Sequence, residues 1–141
     1  MWTEEDGTSW LIWGNANCYM AKLAPDMISF DGPIRQIELP DFEEGPWIFK
    51  RGDIYYLAYA SMDKAISPDE RISYATAPSI EGPWTWRGEL MGSAPNSFTI
   101  HPGIAEFKGE WYLFYHVGTL SVGDQTGAIG RRAVAVEKMH F

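Results

Sequence analysis

One arrangement of aromatic, aliphatic and polar positions occurs three times along the chain. In residues 5–13, 50–59 and 107–115, a charged turn containing glycine precedes an aromatic residue, Leu, a variable residue and a second aromatic residue. Short aromatic and aliphatic runs bounded by glycine turns predict β-strands. Because one strand pattern recurs along the chain, we expect an array of similar units, each made of several short strands.

A second repeated element separates further strands. Ser29–Pro33 and Ser79–Pro83 share the pattern Ser, variable residue, acid, Gly, Pro, and Gly-Pro after an acid predicts a turn. Each copy follows a strand of alternating polarity and precedes a short outer strand. The alternating strands are Tyr19–Leu23 and Arg71–Ala75, and the outer strands are Pro33–Leu39 and Trp84–Gly88. Each unit is therefore predicted to contain four strands.

Four antiparallel strands in a unit of about 45–57 residues are typical of one blade of a β-propeller, and about four to eight blades close the ring. The sequence therefore predicts an all-β fold with a single domain over residues 1–141. This domain is a partial propeller of two and a half to three blades. The approximate blades are 1–40, 41–90 and 91–141.

Composition and charge exclude several classes of function. The net charge of -8 argues against nucleic acid, whose phosphates are bound by clustered Lys and Arg. No apolar run approaches the ~18 residues of a membrane span, and the first residues are acidic where a signal peptide is basic, so we expect a cytoplasmic chain without a membrane partner. Cys18 is the only cysteine, which excludes a disulfide framework.

Aromatic residues and carboxylates together favour carbohydrate as the ligand. Seven Trp, seven Tyr and seven Phe provide flat apolar faces for the C–H faces of sugar rings, and carboxylates bind hydroxyl groups or transfer protons. The candidates for sugar contact are Trp13, Trp47 and Phe98. The alternative is that these rings simply fill the space between blades.

Two polar residues precede the predicted inner strands of successive blades. Glu44 and His101 each lie eight positions before a repeat glycine, at 52 and 109. Inner strands begin at one mouth of the central channel, so both side chains are expected there. Glu81 belongs to the same tetrapeptide, Glu-Gly-Pro-Trp, but occupies the outer-turn position of Asp31, which predicts an architectural role.

Several motifs in order resemble the later blades of glycoside hydrolase family 43. They are Tyr19–Leu23, Glu44–Trp47 followed by Tyr55–Ala60, Tyr74–Ser79, Ser97–Gly103 and Arg131–Val136. The resemblance covers essentially the whole chain. It implies five-bladed propellers that act as β-xylosidases, α-L-arabinofuranosidases and arabinanases, and hence a pentose oligosaccharide as the substrate of this chain.

The resemblance also implies roles for individual residues. Glu44 matches the general acid, and His101 matches a histidine that is associated with calcium in the channel and lies beneath the bound sugar. One of Arg131 and Arg132 matches an arginine that contacts the terminal sugar. Neighbouring residues of a strand point to opposite faces, so the sequence leaves open which of the two does so.

The resemblance further implies an inverting mechanism whose general base and a second aspartate would both lie before Met1. Inverting hydrolysis needs two carboxyl groups about 6.5–9.5 Å apart. A single copy of this chain is therefore expected to be inactive, unless Asp41, Glu43 or Asp124 replaces the base.

The sequence thus predicts a glycosidase for xylo- or arabino-oligosaccharides whose base comes from a second copy or from a separate N-terminal piece. The alternatives are a non-catalytic carbohydrate-binding half-propeller and an interaction propeller without a sugar site. Open strand edges and apolar faces predict a homo-oligomer that completes the propeller. The aromatic residues expected on those faces are Trp10, Trp13, Tyr112 and Tyr115.

Overall fold

The computed structural model describes residues 1–141, and all of its regular secondary structure is β-strand. No helix in the structure is long and apolar enough to span a membrane. The eleven strands are β1 (Trp2–Thr3), β2 (Ser9–Asn15), β3 (Asn17–Lys22), β4 (Arg35–Ile37), β5 (Phe42–Arg51), β6 (Ile54–Ser61), β7 (Arg71–Ala77), β8 (Thr85–Met91), β9 (Gly103–Phe107), β10 (Glu110–Val117) and β11 (Ala133–Lys138).

The strands form three antiparallel sheets, in which neighbours along the chain are neighbours in space. The first blade is β1 to β4, the second is β5 to β8, and the third is β9 to β11. The repeated aromatic segments are β2, β6 and β10, the second strand of each blade, and the Gly-Pro turns separate the third and fourth strands of the first two blades. The prediction of an all-β partial propeller with antiparallel blades is confirmed.

Two apolar clusters hold the three blades together. Trp10, Met20 and Leu57 belong to the cluster between the first and second blades, and Ile72 and Leu113 belong to the cluster between the second and third. Leu57 is fully buried, which stabilises the fold by about 1.5–3 kcal/mol. Alternation along each strand explains this arrangement, because every second side chain faces the neighbouring blade.

Cys18 lies inside the first of these clusters. Its thiol is buried, and burial raises the pKa of the thiol to about 12. A thiol with so high a pKa stays protonated at neutral pH and packs as a small apolar group, in keeping with a position in the core.

The aromatic residues expected on the open faces divide into two groups. Trp10 is buried between the first and second blades, and Tyr115 packs against the cluster between the second and third, so the expectation was wrong for these two residues. Strand alternation turns Trp13 and Tyr112 to the opposite faces, away from the second blade. The reason is that the two aromatic positions of a repeat are three residues apart and therefore point to opposite faces of the sheet: the first faces the following blade, as in Trp10, and the second faces the preceding blade, as in Tyr115.

Candidate functional site

The candidate site lies at the end of the blades where the inner strands begin and the second strands end. Antiparallel pairing brings Phe42 of β5 opposite Ser61 of β6, and Gly103 of β9 opposite Phe114 of β10. The loops that leave β6 and β10 therefore start from the same end. We call this end the mouth, and every polar residue of the site lies there.

Glu44 and His101 meet across the boundary between the second and third blades. Glu44 does not precede the inner strand as predicted but lies within it, in β5, where the pairing with β6 shifts register on both sides of it and makes a bulge. One carboxylate oxygen, Oε1, lies 3.0 Å from His101 Nε2, and both side chains are partly exposed. The imidazole nitrogen itself is buried and has no well-aligned hydrogen bond. The contact is therefore a close approach of the two side chains without well-aligned hydrogen-bond geometry.

Gly45 makes this approach possible. Its φ is +62°, and a Cβ atom at this position would lie 3.0 Å from the ring of His101. A side chain would therefore strain the backbone and push the imidazole away from Glu44. The glycine of the tetrapeptide determines how closely the two blades meet at the mouth.

Glu70 is the residue of the site that sequence reasoning missed. It precedes β7 and is only 2% exposed, and its Oε2 accepts a hydrogen bond from the N–H of Ile100 at 2.8 Å. Ligand atoms of Glu44, Glu70 and His101 all lie within 4.8 Å of one another. In the sequence, Glu70 follows a Pro and an Asp and is typical of a solvated loop charge, so no local signal indicated its burial.

The environment of Glu70 favours its neutral form. Burial raises the pKa of this carboxyl most, the Ile100 N–H lowers it, the charge of Glu44 raises it, and His101 lowers it, with a net upward shift. The geometry also excludes Glu70 as the base that the sequence resemblance leads us to expect beside Glu44. Its carboxylate is too close to that of Glu44, and its burial leaves no space for the attacking water.

A second polar group lies beside His101. Thr99 Oγ1 is 3.1 Å from His116 Nε2 and 3.4 Å from a guanidinium nitrogen of Arg132. The rings of His101 and His116 are 6.0 Å apart and nearly perpendicular. Burial lowers the pKa of His116 most, and the positive charges of Arg132 and His101 lower it further. His116 is therefore a neutral imidazole at pH 7, which Thr99 orients.

The two adjacent arginines have different surroundings. Arg131 binds within the loop that follows β10, since its guanidinium donates to the carbonyl of Leu120 at 3.1 Å and to Oε1 of Gln125 at 2.6 Å. Arg132 is the arginine beside Thr99 and His116. Both residues precede β11, so their directions depend on the loop and not on strand alternation.

The three aromatic candidates are not all at the mouth. Trp47 is 42% exposed and its Nε1 donates to the carbonyl of Ile104 at 2.9 Å, linking the inner strands of two blades. Phe98 is 52% exposed, three residues before His101. Trp13 stacks on Phe30 at 5.8 Å on the face of the first blade that is turned away from the second. Trp47 and Phe98 each lie three residues along the chain from Glu44 and His101 respectively, whereas Trp13 belongs to a different surface.

The other three candidate acids form no ion pair or hydrogen bond with Glu44, Glu70 or His101. The Glu43 carboxylate is 3.8 Å from Lys64 Nζ, and its backbone carbonyl accepts from Ala16. Asp41 and Asp124 are exposed and form no ion pair.

A divalent cation fits the mouth only in part. Glu44, Glu70 and His101 could converge on one ion. Calcium prefers six to eight oxygen ligands, and this cluster offers two carboxylates and one nitrogen, so water would have to supply most of the ligands.

Known proteins are similar to this chain over nearly its whole length. The family model described as glycosyl hydrolases family 43 matches residues 1–141. An arabinoxylan arabinofuranohydrolase from Bacillus subtilis is 28% identical over 99% of this chain and 32% of its own length. A β-D-galactofuranosidase from Aspergillus niger is 32% identical over 98% of this chain and 41% of its own length.

A solved structure has the same fold. It is a β-xylosidase/α-arabinofuranosidase of this family from a compost microbial metagenome, in complex with xylotriose and in a calcium-free form. It superposes with a TM-score of 0.79 at 26% identity, covering 97% of this chain and 52% of that one. The chain thus spans about a third to a half of the length of these proteins. A family match over all 141 residues and a shared propeller fold lead to one conclusion: the chain belongs to the glycosyl hydrolases of family 43.

Proposed function

We propose that this chain forms part of a glycoside hydrolase that acts on xylo- or arabino-oligosaccharides of hemicellulose, with Glu44 as the general acid. The observation that carries the proposal is the 3.0 Å approach of Glu44 to His101 across two blades, at the mouth. A partly exposed carboxyl beside an imidazole, with Arg132 and Phe98 nearby, provides a proton, hydrogen-bond donors and an apolar face for one sugar ring.

The reaction requires a second carboxylate that activates water. Glu44 would donate its proton to the leaving glycosidic oxygen while water attacks the anomeric carbon from the opposite face. Glu70 is too close to Glu44 and too deeply buried for this second role. We therefore place the base outside the chain, on a second copy or on a separate N-terminal piece.

The proposal is tested by release of nitrophenol from aryl xylosides and arabinofuranosides. In any active preparation, Glu44→Gln should lower turnover of substrates with poor leaving groups by about 100-fold or more, and have much less effect on good leaving groups, which need no proton. Glu81→Gln is the matched control, since it changes the same residue of the same tetrapeptide. An equal loss in Glu81→Gln would contradict the assignment.

The second candidate is a carbohydrate-binding half-propeller without catalysis. It is favoured by one observation: Glu70, the carboxyl that the structure brings next to Glu44, is too close to it and too deeply buried to act as the base. Calorimetry with xylotriose separates the candidates: binding without hydrolysis, in a preparation that contains the completed propeller, supports the second, and an absence of binding rejects both.

We also propose that a second copy of the chain covers its open apolar face. The outward face of the third blade carries Phe107, Phe114, Val134 and Val136, and Val134 is 80% exposed. The strand β11 has no fourth strand beside it, so its edge is free to pair. Sedimentation at micromolar concentration should show a dimer or larger species, and Val134→Lys should shift it towards monomer. A stable monomer of 15.9 kDa would contradict the proposal.

Calcium is proposed as an ion at the same mouth, held by His101 and by bound water. It would supply positive charge beneath the sugar, whereas this chain supplies the proton and the hydrogen bonds. Thermal unfolding with calcium and with a chelator tests this: a rise in Tm that is lost in His101→Gln supports the ion, and no change in either case rejects it.

A further inference from the structure

Glu70 makes two hydrogen bonds, one with its backbone N–H and one with its side chain. Together they join the second blade to the residues that precede the third. The N–H of Glu70 donates to the carbonyl of Phe98 at 3.0 Å, and the N–H of Ile100 donates to the Glu70 carboxylate at 2.8 Å. We call these two bonds the Glu70 clasp. They bind the two ends of a three-residue segment that leads directly to His101.

Burial makes the clasp an unusual structural element. Ile100 is fully buried and Glu70 nearly so. A carboxylate removed from water is costly unless it is paired and hydrogen-bonded, and an apolar side chain would fill the same space without that cost. The carboxylate has one direct hydrogen bond here, and the charge of Glu44 opposes its ionisation. Its presence in such a place calls for a role beyond packing.

The position of the clasp suggests that role. The second blade carries Glu44, and the segment that the clasp holds carries Phe98, Thr99 and His101. Thr99 in turn contacts His116 and Arg132. No other hydrogen bond from a buried side chain joins the second blade to this segment. The clasp is therefore the hydrogen-bonded link between the second blade and the segment that carries His101.

We propose that Glu70 is a positioning residue that holds the segment 98–101 in register with Glu44 and so determines the geometry of the sugar site. This inference deepens the proposed function, since the site it organises is the proposed sugar site. The positioning role requires an acceptor oxygen at residue 70. It requires no exchange of protons with the substrate. The amide of Gln carries such an oxygen in the same place, whereas Leu fills the space without one.

The test compares Glu70→Leu with Glu70→Gln in the whole chain, and uses Ile72→Val as a control for a buried change in the adjoining strand β7. Three quantities are measured by NMR and calorimetry: amide hydrogen exchange at Ile100, the chemical shifts of the His101 ring, and the affinity for xylotriose. In Glu70→Leu, exchange at Ile100 should accelerate and affinity should fall, each by about tenfold or more, as expected when a buried N–H loses its acceptor. The His101 ring signals should move.

Glu70→Gln should stay within about twofold of the parent chain in exchange and affinity, because it retains the acceptor. Ile72→Val should leave the His101 ring signals unchanged. The proposal is overturned if Glu70→Leu leaves Ile100 exchange or the His101 signals unchanged, or if Glu70→Gln loses as much as Glu70→Leu. Should Glu70→Leu not fold, a displaced His101 ring in Glu70→Gln overturns the proposal and an undisplaced one supports it.

Failure of the proposed function gives a different result. If the parent chain does not bind xylotriose, the sugar site is rejected, and the clasp is still decided by Ile100 exchange and the His101 ring signals. If the parent binds and Glu70→Leu moves His101 without loss of affinity, the sugar site stands and the positioning role in it is rejected.

Discussion

The tetrapeptide Glu-Gly-Pro-Trp occurs twice, at residues 44–47 and 81–84, and the two copies have different surroundings. In the first, Glu44 lies in a bulged inner strand and approaches His101. In the second, Glu81 lies in the turn between β7 and β8 and forms an exposed ion pair with Arg35 of the first blade. The first copy joins two blades at the mouth, and the second joins two blades at their outer strands.

The glycine and the tryptophan of the tetrapeptide also have different surroundings in the two copies. A Cβ atom on Gly45 would meet the His101 ring, whereas a Cβ on Gly82 would lie 3.1 Å from the backbone nitrogen of Trp84. Trp47 is half exposed and its indole donates to the next blade, whereas the Trp84 indole N–H is buried without a partner. Chemistry at a propeller mouth therefore depends on which strand a motif occupies, and not on its letters alone.

The largest contrast should come from alanine at the two glycines. Both have positive φ, so Gly45→Ala and Gly82→Ala should each destabilise the fold by about 1–3 kcal/mol. Only Gly45→Ala should also displace His101 and weaken xylotriose binding, because its neighbour is a movable imidazole at the site. Chemical denaturation and calorimetry measure the two effects. A loss of sugar affinity in Gly82→Ala equal to that in Gly45→Ala would remove the contrast.

The pH dependence of stability should differ between a variant at the mouth and a variant at the outer turn. Because the pKa of Glu70 is raised, the folded chain binds this proton more tightly than the unfolded chain does. The contribution of Glu70 to stability is therefore largest below the ordinary Glu pKa and decreases as the pH rises through the folded value. In that window, the free energy of unfolding of Glu70→Gln should depend less on pH than that of the parent chain. Both are measured in the presence of a chelator. Glu81→Gln should keep the parent slope, and loss of the slope there would contradict the assignment.

A smaller contrast is expected at the two tryptophans. Trp47→Phe removes the donor to the Ile104 carbonyl and should destabilise the fold by about 0.5–1.5 kcal/mol. Trp84→Phe removes an N–H that has no partner, so the gain from losing an unsatisfied group should offset most of the loss in packing. Denaturation of both variants checks this order, and a greater loss in Trp84→Phe would reverse it.

The smallest effect should come from the ion pair of the outer turn. Glu81 and Arg35 are both about half exposed, so Arg35→Gln should change the free energy of unfolding by about 0–1 kcal/mol. The change should decrease further at high salt, because ions screen exposed charges. Denaturation at low and high salt measures it. An effect that is large and independent of salt would show that this turn is more than a surface contact.

The strand pattern and the repeats of the sequence determined the all-β architecture, the order of the strands and the position of Glu44 and His101 at one end of the blades. Repetition carries this information because each copy of a strand pattern adopts the same place in its blade, and the starts of inner strands lie together. The repeat position also distinguished Glu44, predicted to be at the mouth, from Glu81, predicted to be architectural, since Glu81 shares its repeat position with Asp31.

Only the tertiary structure showed the burial of Glu70, the different surroundings of Arg131 and Arg132, and the outward direction of Trp13. Each depends on contacts between segments far apart in the chain. Glu70 is buried by residues about 30 positions away, and the direction of each arginine depends on the course of an irregular loop. Local patterns have a period of two residues and carry no information about such contacts, because the partners are chosen by how whole blades pack.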